Sequence, residues 1–244
     1  MRSIAVYSLK GGVGKTTLAV SLAWAAAMRS ARRTLLWDLD AQSAASFLLG
    51  ATAHKGEAQA VFAKDLDPGK LIRPTAIDRL DLLPADASLR GLDRFLYGLG
   101  KGKRLLKLIE DAGRDYDRVV LDAPPGLTET SEQVLRAADL IIVPVIPSPL
   151  SQRALDEVVQ FLDRQKGRRG PILPVFNMVD RRRSLHRAAL EANPGWPVIP
   201  MASAFERMST EPGGVARLPQ GSPAATALFA LWTGIEKKLA RKTV

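Results

Sequence analysis

Cysteine is absent from all 244 residues. That excludes disulfides, thiolate-held zinc and iron–sulfur clusters, and with them an electron-transfer role of the iron-protein kind. Only two histidines occur, His54 and His186, too few and too scattered for a typical zinc site. The expected compartment is reducing cytosol. Long hydrophobic runs are also missing. The longest apolar stretch, Leu18 to Met28, is interrupted by Ser21 and too short to span a bilayer. No signal-peptide pattern precedes it, because residues 3 to 8 already read as a core strand. A soluble protein is expected.

Acidic residues are outnumbered. Lys+Arg less Asp+Glu is 35 − 25 = +10, with a pI near 10.1. Residues 1–150 carry 20 − 17 = +3 and residues 151–244 carry 15 − 8 = +7. One reading is a solvated basic surface; the sharper one is a polyanion partner met mainly by the C-terminal part. The length fits one α/β domain over residues 1–244 with no second sizeable one.

Short apolar runs alternate with helical patterns, as in a single doubly wound, mostly parallel sheet flanked by helices. Strands are expected at Ser3–Ser8, Thr34–Asp38, Leu80–Leu83, Arg118–Asp122, Leu140–Val145, Ile172–Asn177 and Pro197–Pro200. Helices are expected to begin at Lys15, Gln42, Ser88, Lys101, Leu150, Ser184 and Ser222. Residues 50–80 lack clear periodicity and read as a short helix and loop, and the tail from Lys237 to Val244 as a fraying end.

Residues 10–17 are Lys-Gly-Gly-Val-Gly-Lys-Thr-Thr. They are a variant of G-x-x-x-x-G-K-[ST], because Leu9 stands where the first glycine belongs and Lys10 is extra. An apolar strand precedes the loop and an apolar helix follows it. Gly11, Gly12, Val13 and Gly14 would let backbone N–H groups wrap phosphates at the positive end of a helix. Lys15 would bridge the terminal phosphates, the Thr16 hydroxyl would bind Mg²⁺, and Thr17 would assist the α-phosphate. A Gly-rich turn before a helix is the plainer alternative.

This loop resembles the deviant Walker A box of the ParA/MinD group of P-loop ATPases, and the resemblance continues over essentially the whole chain. It implies ATP and Mg²⁺ as cofactors and an ATP-glued homodimer, in which Lys10 reaches the other subunit's phosphates. Two nucleotides buried face to face need such extra positive charge.

Two strands end in carboxylates. Residues 35–42 read Leu-Leu-Trp-Asp-Leu-Asp-Ala-Gln, placing Asp38 and Asp40 on one face if the strand persists. That face opens on the crevice where parallel sheets bind ligands. By resemblance Asp40 orients the attacking water and Asp38 supports the magnesium shell through water. The family's first switch has proline where Ala41 stands. Residues 119–126, Val-Val-Leu-Asp-Ala-Pro-Pro-Gly, end a second strand in Asp122, which can hold a magnesium-bound water opposite Thr16. Pro124-Pro125 stiffens that turn, and Gly126 lets the backbone approach the γ-phosphate; the segment looks like Walker B and the second switch. No Ser/His/Asp arrangement accompanies these groups, so catalysis by Lys10, Lys15 and Asp40 would be positioning plus electrostatics. Slow turnover until a partner acts is expected.

Further along, the resemblance assigns Asn177 to the base edge and Pro200 to the ring. Arg207 resembles a DNA-contacting arginine of relatives; Lys166, Arg168 and Arg169 are further candidates, each equally readable as a solvated cation. Neither that cluster nor Arg181-Arg182-Arg183 has interleaved aromatics, which favours phosphate-backbone contact over sequence reading. Leu228, Leu231, Trp232, Ile235 and Leu239 form one stripe near Lys237, Lys238, Arg241 and Lys242. It reads as a helix packed on the sheet, with a MinD-like lipid anchor as the alternative. The implied function is an ATP-driven switch, cytoplasmic and nucleoid-associated. It binds DNA non-specifically to position a plasmid, chromosome region or protein cargo, under a ParB-like or cargo-adaptor partner. With the first strand at the start of the chain, a promoter-binding repressor role is not expected. The alternatives are a MinD-like membrane regulator and a metabolic ATP-dependent ligase or synthetase.

Overall fold

Eight strands join one sheet in the order β3-β4-β2-β5-β1-β6-β7-β8. They are β1 (Arg2–Val6), β2 (Thr34–Asp38), β3 (Arg73–Pro74), β4 (Leu80–Leu83), β5 (Arg118–Asp122), β6 (Leu140–Val145), β7 (Ile172–Val179) and β8 (Val198–Pro200). The computed structural model describes residues 1–63, 66–98, 104–164 and 170–240. Every pairing is parallel except the short edge pair β3–β4. The middle strands β1, β2, β5 and β6 are apolar and buried nearly throughout, because helices cover both faces of the sheet. One core packs Tyr7, Trp37, Leu121 and Phe176 on one face; the other packs Ile4, Leu36, Val120 and Trp232.

Eleven helices are found among the described residues: α1 (Lys15–Ser30), α2 (Ala44–Leu49), α3 (Glu57–Ala63), α4 (Pro68–Leu71), α5 (Leu92–Gly98), α6 (Arg104–Ala112), α7 (Glu129–Ala137), α8 (Pro149–Arg164), α9 (Ser184–Ala192), α10 (Ser203–Arg207) and α11 (Pro223–Ala240). Several departures from expectation have local causes. Ser43 takes φ 54, so α2 starts at Ala44 and not at Gln42. Asp86 caps a 3-10 turn over Ala87–Gly91, which delays the helix expected from Ser88. The first turn of α7 is polar because Thr128 and Ser131 form a capping box, and this hid the apolar face behind it. Residues 50–80 hold α3, α4 and the two-residue β3, too short to carry a period. β1 ends at Val6, and β7 runs two residues past Asn177. The helix start expected at Lys101 and the last four residues lie outside the described residues.

The C-terminal stripe is core. Leu228, Leu231, Trp232, Ile235 and Leu239 are all buried. Trp232 Nε1 donates to Ser30 Oγ at 2.7 Å, and Trp24 stacks on Phe229 with centroids 5.4 Å apart. Arg118 closes the seam by a two-pronged pair with Glu236, Nε to Oε1 at 2.7 Å and Nη2 to Oε2 at 2.8 Å. No helix among the described residues is long and apolar enough to cross a membrane.

Glu236→Gln would take the carboxylate from a guanidinium whose side chain is only 11% exposed, leaving it neutral acceptors such as the Asp117 carbonyl. Stability should fall by about 2–4 kcal/mol, seen as a lower urea midpoint.

Candidate active site

The parallel register sets the geometry. Asp38 at the end of β2 pairs across to Asp122 at the end of β5, and Val6 at the end of β1 pairs across to the same Asp122. The loop after β1 therefore leaves the sheet beside two carboxylates. It turns through Gly12 at φ 72 and Gly14 at φ 80, left-handed conformations that favour glycine. Gly14 is the N-cap of α1, and neither a capping side chain nor a first-turn acid occupies that helix start. Its free N–H groups form an anion site. Asn177 Nδ2 donates to the Val13 carbonyl at 2.8 Å, tying the loop to β7. A Cβ at Gly14 would lie 2.6 Å from that nitrogen, so the approach itself demands glycine.

Asp38 is fully buried and accepts three hydrogen bonds: from Asp40 N–H at 3.1 Å, Ser46 N–H at 2.9 Å and Ser46 Oγ at 2.7 Å. Burial still pushes its carboxyl up to about 6, against the pull of those bonds. Asp122 is buried as well, and neither of its oxygens meets a hydrogen-bond donor. Burial above all, and then the Asp38 charge, raise it well above the usual carboxylate range, while Thr16 and Lys15 nearby pull it down incompletely. An orphaned buried carboxylate beside a threonine hydroxyl fits a magnesium ion held through water. Magnesium usually takes one or two carboxylates plus phosphates. No all-protein cage of three His, Asp or Glu is found among the described residues.

Asp40 is partly exposed, and its Oδ1 accepts from Gln42 N–H at 3.0 Å. Across the mouth, Gly126 takes φ 86 and its carbonyl accepts from the buried Tyr7 hydroxyl at 2.9 Å. Lys10 is half-buried at the rim, and its Nζ donates to Ser151 Oγ at 3.5 Å.

Beside the loop lies a mostly apolar pocket lined by Gly14, Thr17, Asn177, Met178, Pro200 and Phe205, among others. Asn177 and Pro200, assigned to a base from the sequence, both face it. One N–H of the Asn177 amide is given to Val13, which leaves its second N–H and its oxygen for a ligand. Met178 carries φ 55, an uncommon conformation for a long side chain, at the irregular β7–β8 register.

Arg207 is exposed at the end of α10, with Nη1 donating to Ser203 Oγ at 3.3 Å. Lys166, Arg168 and Arg169 lie outside the described residues. The Arg181–Arg183 loop braces itself. Arg182 grips Asp180 at 2.9 and 3.0 Å, and Arg187 Nη1 donates to the carbonyls of Arg181 and Arg182. Sequence reasoning missed Ser46, Ser151, Phe205 and the Tyr7–Gly126 contact. Ser46 is eight residues beyond Asp38, and no spacing rule flags it.

Known proteins resemble the chain over most of its length. A family model described as an AAA domain matches residues 1–173. Over 252 residues the chain is 32% identical to the chromosome-partitioning ATPase Soj of Thermus thermophilus, covering 99% of this chain and 96% of that protein. The chain belongs to the ParA/MinD family of P-loop ATPases. It is also 30% identical to the chromosome partitioning protein ParA of Myxococcus xanthus, over 80% of this chain and 71% of that one. The cobyrinic acid a,c-diamide synthase of Mycobacterium smegmatis, solved with an ATP analogue and magnesium, has a TM-score of 0.79 at 26% identity. That match covers 97% of this chain and 94% of the other. The family's chemistry is ATP hydrolysis, and nucleotide with magnesium suits the open helix start and the unpartnered Asp122 here.

Asp38 and Asp122 both titrate higher folded than unfolded. The destabilisation they bring is therefore absent at low pH. It grows as pH rises from the ordinary carboxylate value, for Asp38 from 3.8 to about 6 and for Asp122 higher still. Asp122→Asn should raise the melting temperature of the nucleotide-free protein at pH 7.5 by roughly 2–4 °C, about 1 kcal/mol at this size. It should also flatten the fall in melting temperature with pH and abolish magnesium-dependent hydrolysis.

Proposed function

We propose that the chain is an ATP-driven positioning switch: ATP joins two copies, the dimer binds DNA without sequence preference, and a partner protein triggers hydrolysis and release. The observation that carries this reading is the state of Lys10. It sits at the open rim of the phosphate loop, and among the described residues its ammonium rests on one serine hydroxyl with no carboxylate partner. A lysine so loosely held can leave its own site and meet the phosphates of a facing copy.

Within one site the chain's own groups divide the work. The N–H groups at the start of α1 and the Lys15 ammonium hold the phosphates, and Thr16 and Asp122 flank the metal position. Asp40, partly exposed two residues beyond Asp38, orients the attacking water. Magnesium, when bound, would offset the charge building on the phosphates. Turnover is slow in this reading until a stimulating partner acts.

The excess of basic charge in residues 151–244, the exposed Arg207 and the braced arginine loop at 181–187 support a phosphate-backbone surface. The two partitioning relatives support the same reading of the cargo as DNA or something carried on it, and so nucleoid association. A lipid-binding reading would require the C-terminal stripe to leave the core that buries it.

The test is binding to random-sequence duplex DNA with ATP, ADP or no nucleotide, across a salt series. Binding should require ATP and weaken steeply with salt. Arg207→Ala should weaken it several-fold at every sequence, and Lys10→Ala should remove both the ATP-dependent dimer and the DNA binding. ATP binding without any DNA binding would overturn the proposal and favour an ATP-dependent synthetase.

A further inference from the structure

Ser46 stands where three parts of the fold meet. It lies on α2 and is fully buried, and its hydroxyl donates to Asp38 Oδ2 at 2.7 Å while its own N–H donates to the same oxygen at 2.9 Å. The hydroxyl also accepts the Ala85 N–H at 2.9 Å, just past the end of β4. One oxygen atom therefore joins the ends of β2 and β4 to the helix that follows the first switch. The next residue, Asp86, carries the linkage on by accepting from Ala58 N–H at 2.9 Å and Ser88 N–H at 2.6 Å.

The consequence lies across the sheet. Asp38 and Asp122 are neighbours in register at the ends of adjacent strands, and both are out of water. Two buried anions so placed repel each other, and only one of them is supplied with donors. Ser46 provides two of the three donors on Asp38, and Asp40 N–H provides the third. Asp38 is thereby turned toward α2. Asp122 remains the carboxylate available beside Thr16. The Asp40 backbone, bonded to the other oxygen of Asp38, takes its place from the same arrangement.

We propose that Ser46 is a positioning residue for hydrolysis: by holding Asp38 it leaves Asp122 to the magnesium and sets the Asp40 loop against the γ-phosphate. Its role is exerted through Asp38, the carboxylate it holds. The inference rests on the family's magnesium-dependent ATP chemistry and on nothing about DNA.

Ser46→Ala removes one of the three donors from Asp38 and leaves the Ala85 N–H buried without that partner, so the carboxylate is held by two backbone N–H groups alone and less firmly against α2. The measurements are made on the full chain without DNA or partner. They are single-turnover ATP hydrolysis over a magnesium titration, ATP affinity in EDTA, and the rise in melting temperature that magnesium adds to protein saturated with a non-hydrolysable ATP analogue. Ser46→Ala should lower the hydrolysis rate about tenfold and raise the magnesium concentration for half-maximal rate several-fold. It should also shrink the magnesium increment in melting temperature while leaving ATP affinity in EDTA within about twofold. Ser46→Thr, which keeps the hydroxyl, should restore most of the rate and the increment. Ser46→Cys is nearly isosteric with a weak donor and should behave like Ser46→Ala; it serves if the alanine variant does not fold.

A wild-type magnesium response in Ser46→Ala or Ser46→Cys overturns the proposal. So does a loss of ATP affinity in EDTA that matches the loss of rate, because that marks general damage to packing. If wild-type protein hydrolyses ATP but never binds DNA, the function proposed above fails and this inference stands.

Discussion

Two carboxylates held side by side out of water at the ends of neighbouring strands are the constraint on which the rest of this structure depends. The parallel register of β2 against β5 puts Asp38 next to Asp122, and the helices on both faces deny them solvent. Such a pair is costly, and each feature around it bears on that cost. Asp38 is supplied with three donors from within the chain. Asp122 is left without any, beside the hydroxyl and the lysine of the phosphate loop. A ligand that brings a divalent cation would complete what the fold leaves open at Asp122.

The scaffold that imposes this arrangement is stiff where it has to be. α1 is buried for most of its length and is locked to α11 by the Trp232–Ser30 bond and the Trp24–Phe229 stack. The Arg118–Glu236 pair fixes the same helix to the start of β5. Through these contacts the phosphate loop, carried between β1 and α1, is referenced to the core. The groups at the rim are held more lightly. Lys10 rests on a single serine, and the turn at Gly126 is held from below by Tyr7. A rigid floor under lightly tethered rim groups is the arrangement a nucleotide-gated contact needs, since the γ-phosphate can reorganise the rim without disturbing the core.

Arg207 lies on α10 two residues beyond Phe205, which lines the pocket with Asn177 and Pro200. The arginine loop between β7 and α9 is braced by Asp180 and Arg187, so its exposed cations are presented on a defined backbone.

Much of this was legible in the residues. The strands at 34–38, 80–83, 118–122 and 140–145 and the helix from Lys15 follow from apolar runs and a glycine-rich loop, local signals that need no partner to be read. The phosphate loop and the carboxylates at Asp38 and Asp122 were legible for the same reason: each ends an apolar strand. The fates of the two aspartates were not. They look alike in sequence, yet strand order and the turn at Ser43 bring Ser46 to one, while the other is left with only the Thr16 hydroxyl and Lys15 nearby. α7 escaped because its polar capping box masks its period. The C-terminal stripe had two readings until packing against α1 chose one. Sequence determined which residues end strands and which turns hold glycine, since those are set within a few residues. Only the tertiary structure decided which buried charge is satisfied, because hydrogen bonds to it come from segments whose proximity no local pattern encodes.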